Sequence, residues 1–205
     1  RGEARVSFQR NGVRYSREVF SSYPDQVLVI RLSSDTARGI SFSTRFDTPM
    51  IHSIAALGDD GVLVTGIAPS YVAHRSFEPR QIIYDSSRSM RYAVAVRAVH
   101  KGGKLIADST GLRVENAKEV TLLVATATSF KDFRTPPATS GVHPEAVAEG
   151  ILAAAARRPV DSLLARHRHD YRSLFDAVTL DLGKDSSASL PTDERLTQET
   201  AAGGY

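Results

Sequence analysis

Two histidines flank an arginine at His167, Arg168 and His169, and imidazole pairs invite a metal ion. On a helix, however, positions i and i+2 point apart, and the i+4 histidine of helical zinc motifs is missing. Arg166, Arg168 and Arg172 crowd the pair and would repel a cation. The pattern therefore predicts a structural role and no metal site, with Asp170 pairing with Arg166 one turn earlier. Cleavage of a glycosidic bond by the two-carboxylate route needs an acid and a base or nucleophile across the bond. The acidic residues, Asp25, Asp35, Asp47, Asp59, Asp60 and Asp85 among them, fall mostly in turn contexts, where a solvated carboxylate is the usual meaning, and spacing singles out no pair. Gly-x-Ser-x-Gly, His-Glu-x-x-His and a phosphate-cradling glycine loop are absent. No catalytic residue is assigned in this chain, its substrate-binding residues stay unassigned, and no cofactor is expected.

One loop stands out. "GIAPSYV", residues 66–72, joins a strand to a tyrosine, with His74, Arg75, Phe77 and Glu78 just beyond. Aromatic and planar charged groups on a loop can touch a sugar or a neighbouring domain. The plainer reading, favoured here, is a loop anchored by Tyr71 in a core.

The elements that must carry these residues are mostly strands. "ARVSF" (4–8) and "GISFSTRF" (39–46) alternate apolar and polar side chains, and "SMRYAVAVRAV" (89–99) does so over a long run. "QVLVIRL" (26–32) and "EVTLLVATAT" (119–128) are apolar at nearly every position, as a strand covered on both faces would be. "GVRYSREVF", "MIHSIAAL", "GVLVTGI", "RQIIYD" and "GLRVEN" supply further strands, with turn chemistry at "RNG", "SSYPD" and "SSDTARG". Gly102-Gly103 in "HKGGKLIA" reads as a hairpin. Many short strands with regular turns predict an antiparallel sandwich.

The character changes after "FRTPPATSGVHP". "EAVAEGILAAAARR" reads as a helix closed by Pro159, and a second helix runs from Asp161 to Phe175. Its apolar face carries Leu163, Leu164, His167, Tyr171, Leu174 and Phe175. "VTLDL" (178–182) reads as a last strand, "GKDSSAS" as a polar linker and "ETAAGGY" as a poorly ordered tail.

Bulk properties narrow the classes. A chain of 205 residues buries roughly 70% of its unfolded surface and needs no disulfide or metal to hold a core. Cysteine is absent, which removes disulfides and thiolate chemistry. A net charge of +3 with scattered arginines gives no nucleic-acid footprint. No apolar run is long enough for a membrane span, and no signal peptide is visible. The first residue is not Met, so residues upstream of Arg1 are expected.

Together, "VRYSREVFSSYPDQVLVIRLSSD", "GISFSTRFDTP", "GVLVTGIAPSYV", "GLRVENAKEVTLLVATATSF", "HRHDYRSLFDAVTLDLG" and "LPTDERL" resemble glycoside hydrolase family 95, the inverting α-L-fucosidases with some α-L-galactosidase members. Six segments match in order, over nearly the whole chain. The resemblance implies a mainly β fold: an antiparallel β-supersandwich followed by two linker helices and a short strand. It divides the chain into an amino-terminal β-sandwich at 1–135, incomplete at its start, a helical linker at 136–177, and a strand and leader at 178–205. The leader points toward an (α/α)6 catalytic domain outside this sequence. The family's general acid and water-activating residues lie in that barrel and match no position here. The implied partners are the barrel of the same protein and, for the whole enzyme, a fucosylated glycan; export from the cell is favoured by the same inference. Two other readings remain: a stand-alone carbohydrate-binding sandwich, which the absence of Trp disfavours, and the β domain of a disaccharide phosphorylase-like enzyme.

Overall fold

The computed structural model describes residues 2–36, 39–181, 183 and 188–201. The chain forms two compact units, Arg1–Arg172 and Ser173–Tyr205. The first holds the strands: β1 (Glu3–Arg10), β2 (Val13–Ser22), β3 (Val27–Ser34), β4 (Ile40–Ser43), β5 (Ile51–Leu57), β6 (Gly61–Ile67), β7 (Tyr71–Val72), β8 (Ile82–Ile83), β9 (Arg91–Lys101), β10 (Lys104–Asp108), β11 (Gly111–Ala117) and β12 (Glu119–Thr128). They pair antiparallel in a seven-stranded sheet ordered β1-β2-β3-β12-β9-β6-β5, a three-stranded sheet β10-β11-β4, and the small pair β7-β8. After a single 3₁₀ turn at Pro137–Thr139 come α1 (Pro144–Ala156) and α2 (Val160–Phe175).

The middle of the large sheet is covered on both faces. On one face Phe20, Val29, Ala93, Ala95, Leu123 and Ala125 pack against Ala148, Leu152 and Ala155 of α1 and Leu163 and Leu164 of α2. The alanines at 93, 95, 125, 148 and 155 let helix and sheet approach closely. On the other face Val62, Ala98, Val120 and Leu122 meet Ile40, Leu112, Val114 and Ala117 of the small sheet. Successive residues of one strand thus enter two cores, which is why β3 and β12 are apolar at nearly every position. The fold is the expected sandwich, mainly β and antiparallel, followed by helices.

Turn chemistry fixes the β1–β2 hairpin. Asn11 and Gly12 both take positive φ (52° and 78°), the geometry of a two-residue turn that follows strand twist. Gly102 and Gly103 also take positive φ, but the hairpin expected there does not form. β9 stays in the large sheet and β10 enters the small one. Gly103 lies so close to β11 that a Cβ would sit 2.2 Å from the Glu115 carbonyl oxygen. Two glycines let the chain switch sheets, and periodicity alone does not distinguish that switch from a hairpin.

Three further expectations change. "RQIIYD" contributes only Ile82–Ile83, paired with Tyr71–Val72. Residues 178–181 of "VTLDL" are not a strand and have no ladder partner among the described residues; Leu182 lies outside them. A strand needs a neighbour for its backbone groups, and an alternating pattern cannot supply one. "TDERLTQETA" forms α3 (Thr192–Ala201), where a leader and a loose tail were expected, with Asp193 and Glu194 in the first turn favouring the helix dipole. Residues 184–187 of the predicted linker and 202–205 of the tail lie outside the described residues.

Candidate functional site

The histidines at 167 and 169 part company as their spacing requires. His167 is buried, with Nε2 3.0 Å from the Gly2 carbonyl oxygen and its ring against Phe20 and Tyr171. His169 is exposed. Beside them, Arg168 grips Glu3 with two nitrogens, at 2.5 and 2.9 Å. Arg5 adds a third contact to Glu3 at 3.0 Å and bridges to Glu18 at 2.7 Å. The hydrogen bond from Arg168 holds the Glu3 carboxyl down to about 2, against a burial that would raise it. Gly2 has no room for a side chain, since a Cβ would lie 2.8 Å from Tyr171 and 2.9 Å from His167. α2 therefore fastens the start of β1, and the "HRH" run is that fastening.

Asp25, read as a turn carboxylate, is an internal anchor. Its side chain is 4% exposed and accepts from Arg166 Nε at 2.9 Å and from Ser22 Oγ at 2.7 Å; Arg158 lies 3.4 Å away. Four of the other turn aspartates also have structural partners. Asp85 caps Ser87, and those hydrogen bonds hold its carboxyl below the ordinary value. Asp60 pairs with Arg97, Asp47 with Arg45, and Asp35 accepts from the Arg14 backbone. Among the described residues no three of His, Asp and Glu gather as a metal set.

The "GIAPSYV" loop becomes an arm built on β7 and β8. Its root is not Tyr71. Gly66 lies under the Tyr92 ring, where a Cβ would be 2.3 Å from Cζ, and Ala68 N donates to Met90 O at 2.8 Å. Tyr71 stands 38% exposed, and its hydroxyl donates to Glu78, a bond that pushes the phenol up. Gln81 donates its amide to the Glu78, Ser76 and Arg75 carbonyls and closes the tip. Phe77 projects there, 76% exposed, with the Arg75 guanidinium 5.7 Å over its ring. Tyr71, Phe77 and Arg75 thus form an ordered, solvent-facing patch of the kind that touches a sugar or a protein surface. Of the residues noted in the sequence, the structure gathers these and His74 on one arm. It scatters the aspartates, and it adds Glu3, which nothing in the sequence singled out because its partner lies 165 residues away.

A family model described as glycosyl hydrolase family 65, N-terminal domain, matches residues 1–133, the whole span of β1 to β12. The chain belongs to that family. Curated relatives extend the likeness beyond residue 133, through the helices. "Alpha-L-fucosidase 2" of Arabidopsis thaliana is 28% identical over 205 residues, 97% of this chain and 24% of that protein. "Probable alpha-fucosidase A" of Aspergillus niger is 28% identical over 200 residues, covering 91% and 23%. Its namesake in Aspergillus oryzae is 27% identical over 176 residues, covering 82% and 22%. The chain therefore spans about a quarter of the length of the curated relatives it matches. The resemblance to α-L-fucosidases read from the six segments stands, with the domain model carrying the number 65.

Proposed function

We propose that this chain is the non-catalytic amino-terminal domain of an α-L-fucosidase-like glycoside hydrolase. It supports a downstream (α/α)6 barrel that hydrolyses α-L-fucosidic bonds with inversion. The observation that carries the reading is the asymmetry of the match: nearly all of this chain aligns within a quarter of a protein named as a fucosidase. The division proposed is a sandwich at 1–135, a helical linker at 136–177 and a leader from 178. A supporting role fits a sheet whose middle is packed on both faces and whose acidic residues are mostly committed to ion pairs and turns. It also fits Leu174, Phe175, Val178 and Leu180, which stand exposed at 61–82% in the second unit, as an interdomain surface would. The β7–β8 arm is the element that would reach the rim of the active site.

The test is release of fucose from an aryl α-L-fucoside. The full-length protein is expected to turn over, with the anomeric configuration inverted in the first-formed product by NMR, and this chain alone to give none. Turnover by this chain overturns the reading. Release that requires inorganic phosphate favours the phosphorylase-like alternative. Within the full-length protein, Phe77→Ala is expected to raise KM several-fold with Tm unchanged; an unaltered KM removes the arm from the active site.

A further inference from the structure

The β1–β2 hairpin runs past the small sheet and leaves a groove between itself and the start of β4. Phe8, Tyr15, Leu32 and Ile40 give it an apolar floor, and Arg10 and Arg17 line it as well. Its volume is about 300 Å³, at the lower end of the range for small-molecule sites. Phe8 and Tyr15 face each other in the strand register and stack at 5.1 Å, while Arg17 lies over the Phe8 ring at 5.5 Å.

The arginines here differ from the ion-paired set on the sheet and helices. Arg5, Arg31, Arg97, Arg158, Arg166 and Arg168 each meet a carboxylate. Neither Arg10 nor Arg17 does, among the described residues, and the groove's described lining contains no Asp or Glu. Arg10 sits two residues beyond Phe8 on β1 and Arg17 two beyond Tyr15 on β2, in opposite directions along the pair. At about 3.4 Å per residue their backbones stand roughly 13 Å apart along the strands, with the Arg17 guanidinium reaching back over the Phe8 ring. Two guanidiniums that meet no carboxylate among the described residues, beside an apolar floor, suit a ligand with more than one negative charge and a partly apolar body.

We propose that this groove binds an acidic oligosaccharide, with Arg10 and Arg17 holding carboxylates on different sugar units and the apolar floor carrying a ring face beside them. The anionic requirement comes from the groove itself; the choice of a sugar rests on the glycosidase reading. The groove is distinct from the β7–β8 arm, none of whose residues line it.

Titration calorimetry on the full-length protein tests it, with a trimer of galacturonic acid, the neutral galactose trimer and inorganic sulfate as probes. The acidic trimer is expected to bind saturably and more weakly as salt rises. Arg10→Gln and Arg17→Gln should each weaken it by about tenfold, the loss of one charge-assisted pair. Both positions are exposed, so Tm should hold and show that the variants are folded. Equal binding of the neutral trimer, unchanged affinity in both variants, sulfate binding as tightly as the sugar, or no saturable binding would each overturn the proposal. Because no turnover is measured, a failed fucosidase assay leaves this result standing.

Discussion

The middle of the seven-stranded sheet and its β1–β2 edge use the same backbone pairing but are held in place by different forces. β3, β12, β9 and β6 carry side chains into two cores, one under the helices and one under the small sheet. β1 buries almost nothing: Val6 is 53% exposed and Phe8 39%. What fastens β1, beyond its ladder with β2, is a set of polar contacts to α2 around Gly2, Glu3, His167 and Arg168. Burial is nondirectional and scales with apolar area, whereas a fastening of this kind depends on single atoms. The centre should therefore respond to volume and the edge to geometry and pH.

The largest effect belongs to the centre. Leu123→Ala removes a side chain that is 2% exposed at the helix–sheet core. A loss of about 2–5 kcal/mol is expected, read by urea denaturation with an unchanged m-value. A loss below about 1 kcal/mol would mean the core collapses around the gap and is less tightly packed than the centre requires.

How far the comparison could be read from sequence follows from the same division. The centre was legible because burial on two faces leaves a local mark: "QVLVIRL" and "EVTLLVATAT" are apolar at nearly every position. α1 and most of α2 were legible for the same reason, since their apolar spacing lies within one segment. The end of α2 was not, for Leu174 and Phe175 continue the stripe yet stand exposed. The fastening was invisible because Glu3 and Arg168 are far apart in the chain and neither belongs to a pattern. Tyr71 was misread because an aromatic after a strand resembles a core anchor, and the residue that does this work, Tyr92, faces Gly66 across a sheet pairing.

The next effect concerns the fastening. Gly2→Ala places a Cβ where Tyr171 and His167 already stand, at a backbone φ of +63°. It should cost about 1 kcal/mol or more. Hydrogen exchange should quicken in β1 while β12 keeps its protection. Equal loss of protection in both strands would show that the edge and the centre unfold as one.

Glu3→Gln weakens the same contact by charge and not by volume. A drop of roughly 2–4 °C in Tm is expected at neutral pH. The folded-state value of Glu3 lies near 2, below its ordinary 4.5, so the ion pair contributes fully above about pH 4.5. Its contribution fades as pH falls toward 2, once the folded-state carboxyl also takes up a proton. The gap between wild type and variant should therefore stay constant above pH 5 and close on acidification. A gap that persists unchanged at pH 2 would mean that Glu3 acts through packing alone.

The smallest effect is the sharpest check on the contrast. Val6→Thr keeps the branched shape, and with it the strand propensity, while replacing one methyl with a hydroxyl. At the centre such a change buries an unpaired polar group and costs kilocalories. On β1 Val6 is solvent-facing and pairs across from Arg17, so stability should move by no more than about 0.5 kcal/mol. A loss comparable with that of Leu123→Ala, seen in the full-length protein and not in this chain, would show that another part of the molecule covers β1 there. The edge would then be a third core, and the fastening to α2 would serve to present its apolar face to whatever packs on it.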